Sequence, residues 1–317
     1  MKEEEERKHH TTGSSSSTPW RSVFRCDLFD GQVGLVSGGG TGIGYSIAYE
    51  LASLGATFII ASRNVETCQQ AAHKINFSIG SKSTTSTDGT ICSGKVVVGP
   101  STNVRKEDDI KNLIEFIVKK YSKINFLVNN AGGQYISHAE DISRKGFLAV
   151  LETNLIGTFL MCREAYTQYM RDNGGGSIVN ITIGNRNGMP SLSHSASSRS
   201  GVENLTATLS TEWIQSNVRI NCVRPGIIFT ESGFQNYGPA GDYFLDKILH
   251  AVPARRLGSP EEVSSGVVWL LSEGASYVTG MMLCVDGGSS YTALPLVDID
   301  DEANLPVYGT LPPKARL

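Results

Sequence analysis

Short apolar runs alternate along this chain with longer stretches in which apolar residues recur at helical spacing. The first two runs, Val33–Val36 and Thr57–Ala61, predict buried strands, and Tyr45–Leu54 between them has the period of an amphipathic helix. Further apolar runs follow at 95–98, 124–128, 177–182, 217–223 and 281–285. Strands separated by helices are typical of a parallel sheet that is covered on both faces. The pattern predicts one α/β domain with a doubly wound parallel sheet of about seven strands.

A glycine-rich run, 37–44, lies between the first strand and the first helix. Such a turn directs backbone N–H groups and the positive end of a helix at one point, and glycine lets a diphosphate approach the backbone closely. The run therefore predicts a dinucleotide site on a Rossmann-type domain. The candidate ligands are Ser37, Gly38, Gly42, Ile43 and Gly44.

The tip of the second strand predicts which dinucleotide is bound. In dinucleotide folds this tip meets the adenosine ribose, where a carboxylate would bind the 2′-hydroxyl of NAD. Here the strand ends in Ser62 and Arg63, and a guanidinium with a neighbouring hydroxyl suits a 2′-phosphate. The sequence thus favours NADPH. An Arg in this position could also be an ordinary solvated side chain.

Two further motifs, each at the end of a predicted strand, agree with a dinucleotide site. Asn129-Asn130-Ala131-Gly132 ends the fourth run, at the sheet edge where open α/β sheets bind ligands, and Pro225-Gly226 ends the sixth. With the GxxxGxG spacing of Gly38, Gly42 and Gly44, these motifs resemble the short-chain dehydrogenase/reductase family. The resemblance implies cofactor contacts by Asn103, Asn130, Ala131, Gly132, Pro225, Gly226 and Ile228. It also implies a catalytic position just after the fifth strand, where the candidates are Thr182 and Ile183. At Asn154 it implies a residue that holds a helix kink and a proton-relay water.

The chain departs from that family at its catalytic helix. The family carries Tyr-x-x-x-Lys there, whereas this chain has Ser195 and Arg199 in the same register. An aliphatic hydroxyl is a far weaker acid than a phenol, and Arg does not release its proton. Alcohol–ketone interconversion is therefore disfavoured. A hydroxyl donor can still stabilise the enolate that forms when a double bond conjugated to a thioester is reduced.

A narrower resemblance agrees with this chemistry. Stretches at 123–130, 149–155, 194–206, 220–223, 231–238 and 261–265 resemble the peroxisomal trans-2-enoyl-CoA reductases. The resemblance implies NADPH-dependent saturation of trans-2-enoyl-CoA in fatty acid metabolism, with Ser195 and Arg199 as catalytic residues, and it implies a homo-oligomer. Those relatives have Tyr where this chain has Glu203. Two alternatives stay open: a 2,4-dienoyl-CoA reductase, although those enzymes keep the lysine, and a catalytically silent NADPH-binding or scaffold protein.

The remaining expectations concern the ends of the chain and the substrate. The sequence predicts a disordered tail at 1–27 and a second tail at 291–317. The reductase domain is expected at 28–290, and it contains a flexible Ser/Thr-rich loop at 76–94. The tail ends in Ala315-Arg316-Leu317, which resembles a peroxisomal import tripeptide read by an import receptor. By analogy, Tyr237, Phe244 and Leu249 line an acyl tunnel, and a core role is equally compatible with these apolar side chains.

Composition narrows the choice of partners. The net charge is −3 with mixed signs, which gives no basic footprint for nucleic acid. No apolar run reaches the length that spans a bilayer, so no membrane segment is expected. The six cysteines have no CxxC or Cys/His spacing, which predicts no metal site and reduced thiols in a reducing compartment.

Overall fold

The fold is a single seven-stranded parallel sheet with helices on both faces. The computed structural model describes residues 22–81, 94–184, 188–230, 249–291, 305–312 and 315. Across the sheet the strands run in the order β3-β2-β1-β4-β5-β6-β7, and each neighbouring pair is parallel. The predicted fold class is confirmed. The strands are β1 (Val33–Ser37), β2 (Thr57–Ala61), β3 (Lys95–Val98), β4 (Phe126–Asn129), β5 (Gly176–Ile181), β6 (Val218–Pro225) and β7 (Met282–Val285).

Seven α-helices are described, and two π-helical turns interrupt the longest helical stretch, 144–170. The helices are α1 (Gly42–Ser53), α2 (Val65–Gly80), α3 (Glu107–Tyr121), α4 (Arg144–Leu151), α5 (Gly157–Ala165), α6 (Ser193–Glu212) and α7 (Pro260–Leu271). The π turns are Glu152–Ile156 and Tyr166–Met170.

The core lies in two layers because successive strand residues point to opposite faces of the sheet. Ile60 belongs to a cluster that includes residues of α1, α2 and α7, whereas its neighbour Ile59 belongs to a cluster with residues of α3, α5 and α6. Both side chains are fully buried. A sheet that is covered on both faces explains why its strands read as continuous apolar runs.

The segment after α2 departs from the predicted loop. The helix continues to Gly80 and therefore includes the first five residues of the loop predicted at 76–94. The amide of Asn76 donates to the Val96 carbonyl and accepts from the Val96 N–H, both at 2.8 Å, so it completes the free edge of β3. The rest of the predicted loop, 82–93, lies outside the described residues.

The helical stretch Arg144–Met170 has the length and mean hydropathy, 1.3, of a membrane span, which the sequence analysis did not predict. Within the described part of the chain it is the only such stretch. Leu160, Met161 and Cys162 of this stretch belong to the core cluster that also contains residues of α3. We therefore interpret it as a core helix of the domain.

The thiol prediction is correct for four of the cysteines and wrong for one. Cys68, Cys162, Cys222 and Cys284 are free. Cys26 is disulfide-bonded, which the sequence did not reveal because spacing alone does not show which cysteines meet in space. Among the described residues, no group of three or more His, Cys, Asp or Glu side chains could hold a metal ion.

A buried polar chain connects the central strands to α6. The Asn129 amide donates to Asn180 Oδ1 at 2.8 Å, and the Asn180 amide donates to Thr206 Oγ1 at 2.9 Å. All three side chains are buried. Because α6 carries Ser195 and Arg199, these bonds fix the position of both residues relative to the strand ends.

We expect Asn180→Ala to lower the free energy of unfolding by about 2 kcal/mol, because it removes the oxygen acceptor of the buried Asn129 amide and leaves that amide only the weaker acceptor Cys162 Sγ. Chemical denaturation followed by far-UV circular dichroism measures this. Asn173→Ala is the control, since Asn173 is exposed and a surface change costs roughly 0.5 kcal/mol or less. Equal stability of the two variants would contradict the structural role of these buried hydrogen bonds.

Candidate active site

Two turns at the carboxyl edge of the sheet are locked together. Ser37 Oγ accepts from the backbone N–H groups of Asn130 and Ala131 at 3.2 and 3.0 Å. In return, the Asn130 amide donates to the carbonyls of Ser37 and Gly38, both at 3.1 Å. Thus Ser37 and Asn130, both predicted cofactor ligands, hold the glycine turn against the turn after β4.

Glycine is required within this junction. Gly38 has a φ of +71°, and a Cβ on Gly44 would lie 2.3 Å from the Gly38 carbonyl oxygen. The N-terminus of α1 follows directly, and the side chain of its N-cap residue, Thr41, does not cap it. Its N–H groups are therefore available to an anion.

A cleft of about 550 Å³ extends from this turn towards the ends of β2 and β3, and we call it the cofactor cleft. Thr41, Thr102, Val104, Gly133, Thr153 and Thr230 also line it. The predicted residues that line it are Gly38, Gly42, Ile43, Ser62, Arg63, Asn103, Asn130, Ala131 and Gly132. The glycine turn, the tip of β2 and the turn after β4 thus line one concave site.

At the β2 end of the cleft lie three predicted cofactor ligands, two of which already form hydrogen bonds within the protein. Ser62 Oγ donates to the Asn64 carbonyl at 2.9 Å, and Asn103 Oδ1 accepts from the Arg105 N–H at 3.1 Å. Both side chains therefore stabilise local turns. Arg63 is exposed and lines the cleft, so its guanidinium is placed to meet an anion.

Arg199 is buried at the other end of the site. Its Nη1 donates to the carbonyl of Ile181, the last residue of β5, at 2.8 Å. A Cβ added to Gly132 would lie 1.8 Å from Nη2, so the guanidinium lies directly against the turn after β4. Its Nε has no partner among the described residues and remains a buried donor. Burial lowers the pKa of Arg199 to about 10, which leaves it charged at neutral pH.

Ser195, in the register position of the family tyrosine, is hydrogen-bonded to a residue that the sequence analysis missed. Its hydroxyl donates to Gln134 Oε1 at 2.8 Å, and Ser195 is buried while Gln134 is exposed. Gln134 lies two residues after Gly132, just beyond the carboxyl end of β4. A polar side chain after that strand was the available signal, since ligands of open α/β sheets bind at this edge.

Asn154 lies in the first π turn, in agreement with the irregular helix that the family resemblance implied. Its side chain accepts from the Gly133 N–H at 2.9 Å and donates to the Gly133 carbonyl at 3.1 Å. It also donates to Ser198 Oγ at 3.2 Å. Asn154 therefore connects the π turn, the turn after β4 and α6.

Thr182 contacts a nearly buried ion pair that joins Glu203 of α6 to Arg224 of β6. Its hydroxyl lies 3.3 Å from Glu203 Oε1 and 3.4 Å from the Val223 carbonyl. Glu203 and Arg224 form two hydrogen bonds of 2.8 Å and are nearly buried. The structure does not place Thr182 in the cofactor cleft, and its catalytic role stays a prediction.

A second contact between α6 and the segment after β4 lies next to the hydrogen bond of Ser195 and Gln134. The ring of His194 packs edge-on against Tyr135, with 4.4 Å between ring centroids and an interplanar angle of 70°. Burial lowers the pKa of His194, so the imidazole is neutral at neutral pH. Two consecutive residues of α6 thus contact two consecutive residues of the segment after β4.

The remaining predicted residues lie elsewhere. Pro225 ends β6, the Gly226 N–H donates to Val285, and Ile228 bridges to Gly258. Tyr237 and Phe244 lie outside the described residues. Leu249 is 5% exposed in a small core cluster with Leu257 and Ala315, so the described structure gives it a core contact.

A family profile described as enoyl-(acyl carrier protein) reductase matches residues 38–290, which include the cofactor cleft and α6. The same stretch holds the glycine turn and the Ser195/Arg199 register. The chain is a short-chain dehydrogenase/reductase. This family consists of oxidoreductases that use nicotinamide cofactors, so the fold, the cleft and the reaction class agree.

Relatives with curated names share most of this short-chain dehydrogenase/reductase. A peroxisomal 2,4-dienoyl-CoA reductase of Danio rerio is 34% identical over 273 residues, covering 86% of this chain and 85% of the relative. A probable 2,4-dienoyl-CoA reductase of Caenorhabditis elegans is 35% identical over 273 residues, covering 85% and 84%. Both names match the dienoyl alternative that the sequence left open.

Solved structures support the same family. A citronellol catabolism dehydrogenase of Pseudomonas aeruginosa PAO1 is 39% identical, with a TM-score of 0.71 over 85% of this chain and 99% of that chain. An actinorhodin polyketide ketoreductase variant, solved with NADPH, is 27% identical, with a TM-score of 0.74 over 82% and 98%.

We expect Gly132→Ala to displace the Arg199 guanidinium, because the new methyl group would occupy its position. Small displacements of catalytic groups can cost about 100-fold in rate, and we expect a loss of roughly this size in kcat/KM. Steady-state kinetics and thermal unfolding measure the effect and the fold separately. Gly80→Ala is the control, since Gly80 lies outside the cleft and a Cβ there meets no atom within 4 Å. Similar kinetics for both variants would contradict the placement of Arg199.

Proposed function

We propose that this protein reduces trans-2-enoyl-CoA to saturated acyl-CoA with NADPH, as an enzyme of fatty acid metabolism. The observation that carries the proposal is the pair at the site: a buried Ser195 hydroxyl bonded to Gln134 and a buried, fixed cation, Arg199. An activated double bond needs a donor at the thioester oxygen. It does not need a phenol that protonates an alkoxide.

The described residues fit a phosphorylated dinucleotide. The uncapped N–H groups at Thr41 and Gly42 suit its diphosphate, and Arg63 suits the 2′-phosphate. The unpartnered Nε of Arg199 suits a ribose hydroxyl. When bound, the reduced nicotinamide supplies the hydride. A solved relative that holds NADPH supports the choice, and the absence of a carboxylate at 62–63 supports NADPH over NADH.

Ser195 and Gln134 act on the substrate oxygen. Hydride addition at the β-carbon moves the π electrons to the thioester oxygen as an enolate. The Ser195 hydroxyl, released from Gln134 Oε1, and the Gln134 amide N–H are donors that would stabilise this charge, and neither has to give up its proton. The enolate then collapses, and the α-carbon takes one proton from solvent, which completes the balance of two electrons and two hydrogens.

Arg199 keeps its charge throughout the reaction. With a pKa of about 10 it does not exchange a proton with the substrate at neutral pH. Its bond to the β5 carbonyl fixes the charge at one place, near the turn after β4. The guanidinium therefore stabilises negative charge electrostatically and orients the ribose rather than relaying protons.

A second candidate function is the reduction of 2,4-dienoyl-CoA, favoured by the names of the curated relatives. Hydride would then add at the δ-carbon, and the electron pair would spread to the same thioester oxygen. Protonation at the α-carbon gives a 3-enoyl-CoA. The demands on Ser195, Gln134 and Arg199 are the same, which is why the substrate assay has to include both compounds.

We also propose that the protein works in peroxisomes, on the support of relatives that are named peroxisomal. Ala315, the first residue of the tripeptide noted in the sequence, is buried and its carbonyl accepts from the Leu257 N–H at 3.0 Å. Arg316 and Leu317 lie outside the described residues. Import-receptor binding and a homo-oligomeric state both remain predictions.

Incubation of the purified protein with NADPH and medium-chain trans-2-enoyl-CoA or 2,4-dienoyl-CoA tests the proposal. We expect faster loss of NADPH absorbance at 340 nm with the trans-2-enoyl-CoA, with saturated acyl-CoA as the product seen by mass spectrometry. Preference for the dienoyl-CoA would establish the second candidate instead. Binding of NADPH without turnover of either compound would establish the silent alternative and refute both.

We expect Ser195→Ala to lower kcat about 100-fold, which is the usual loss when one donor to a developing oxyanion is removed. The Kd for NADPH should change little, because the hydroxyl acts on the substrate. Ser197→Ala is the control, since Ser197 is exposed two residues further along α6. An unchanged kcat for Ser195→Ala would show that another group stabilises the oxyanion.

Arg63→Leu tests the cofactor assignment. Loss of a hydrogen-bonded charge should raise the KM for NADPH about tenfold and leave the KM for NADH nearly unchanged. Arg25→Leu is a matched change of an exposed arginine outside the cleft. If Arg63→Leu affected both cofactors equally, the guanidinium would not be reading the 2′-phosphate.

A further inference from the structure

The described part of the predicted C-terminal tail packs on the domain. We call Leu305–Pro312 the C-terminal segment. It follows a path beside α7, where Ser259 Oγ donates to the Tyr308 carbonyl at 2.6 Å and Arg256 Nη2 donates to the Pro306 carbonyl at 3.0 Å. Leu311 packs against the small core cluster that contains Leu257. The segment is therefore held by hydrogen bonds to two of its carbonyls and by the packing of one of its side chains.

A buried carboxylate anchors the segment. The Tyr308 hydroxyl donates to Glu50 Oε1 at 2.8 Å, and Ser22 donates to the same oxygen at 2.7 Å. Ser264 of α7 donates to Glu50 Oε2. Glu50 is completely buried within α1, and its burial raises the pKa of its carboxyl group. A buried carboxylate needs such donors, so the hydroxyl of Tyr308 has an energetic reason to remain docked.

The segment approaches α7 as closely as its backbone allows. Gly309 has a φ of +94°, a conformation that favours glycine. A Cβ at this position would lie 2.5 Å from Glu261 Cβ and 2.6 Å from Glu261 Oε2. Both the backbone angle and the contact therefore require glycine here.

The docked segment forms one wall of a cavity of about 850 Å³. Thr310, Leu311 and Pro312 line one side, and the glycine turn lines another. Thr41, Gly42 and Thr230 line both this cavity and the cofactor cleft, so the two spaces meet at the N-terminus of α1. The point where a diphosphate would bind therefore faces the C-terminal segment.

We propose that the C-terminal segment is part of the NADPH site, and that its docking through Tyr308 and Gly309 strengthens NADPH binding. The proposal rests on the proposed cofactor. The attraction between a diphosphate and the N-terminus of α1 weakens when water fills the surrounding space. A wall of threonine, leucine and proline beside this point excludes water. Lys74, which also lines the cavity, adds a cation within the same space.

Two variants loosen the segment without touching the cofactor cleft. Gly309→Ala introduces the clash with Glu261, and Gly174→Ala is its control, since Gly174 has a similar φ of +87° but open space around it. Tyr308→Phe removes one hydroxyl donor to Glu50. Tyr277→Phe is the control, because Tyr277 is fully exposed.

The first measurement is hydrogen exchange of the amides at 305–312 by mass spectrometry on the full chain, without cofactor. The second is the Kd for NADPH from the fluorescence of the bound cofactor, without acyl-CoA. We expect both test variants to speed exchange in the segment, Gly309→Ala most. We expect Gly309→Ala to raise the Kd about tenfold, and both controls to stay within twofold of the wild type.

Faster exchange of the segment with an unchanged Kd would overturn the proposal, because the docked segment would then be irrelevant to the cofactor. Unchanged exchange in both test variants would overturn it too, since the described contacts would not hold the segment. A wild-type protein that binds no NADPH would refute the proposed cofactor and this proposal together. A wild type that binds NADPH, with the same Kd in Gly309→Ala, would refute only the role of the segment.

Discussion

The site depends on the hydrogen bonds that join the glycine turn to the turn after β4. Four hydrogen bonds cross this junction, from Asn130 and Ala131 to Ser37 and Gly38, and they place the N-terminus of α1 and Gly132 on the same side of the sheet edge. Parallel strands by themselves bring their carboxyl ends to one edge. The hydrogen bonds of the junction also fix the position of the two turns relative to each other. The cleft therefore has a fixed shape before any ligand binds. Arg199 then lies against the second of these turns, and its position depends on the first.

The chemistry of the site follows from groups that do not titrate near neutral pH. Ser195 is an aliphatic hydroxyl, Gln134 an amide and Arg199 a buried cation whose pKa remains far above 7. His194, the titratable neighbour, is neutral and packs as an aromatic ring. Such a set can bind and polarise an oxygen but is poorly suited to moving protons. These properties agree with the proposed reduction of an activated double bond and not with the interconversion of alcohols and ketones.

Much of the architecture could be predicted because burial on both faces turns each parallel strand into an apolar run. The glycine turn and Asn130 were equally visible, since backbone geometry restricts those positions to few residue types. Gln134 escaped prediction because its partner Ser195 is 61 residues away, and only the folded sheet edge brings them together. Glu203 replaces a tyrosine of the reductases that the sequence resembles, and the sequence alone did not show what the glutamate does. In the structure it pairs with Arg224, a contact that no local pattern encodes.

The buried carboxylate of Glu50 has a consequence for the order in which the molecule can be completed. Its donors come from Ser22, Ser264 and Tyr308, and the last of these is separated from Glu50 by 258 residues. During synthesis, α1 and its strand neighbours emerge from the ribosome long before Tyr308. Until Tyr308 emerges, one acceptor site of this carboxylate must remain hydrated or accept another donor. The early strands can therefore assemble on the ribosome, but the region around Glu50 reaches its final packing only after residue 308 has been translated.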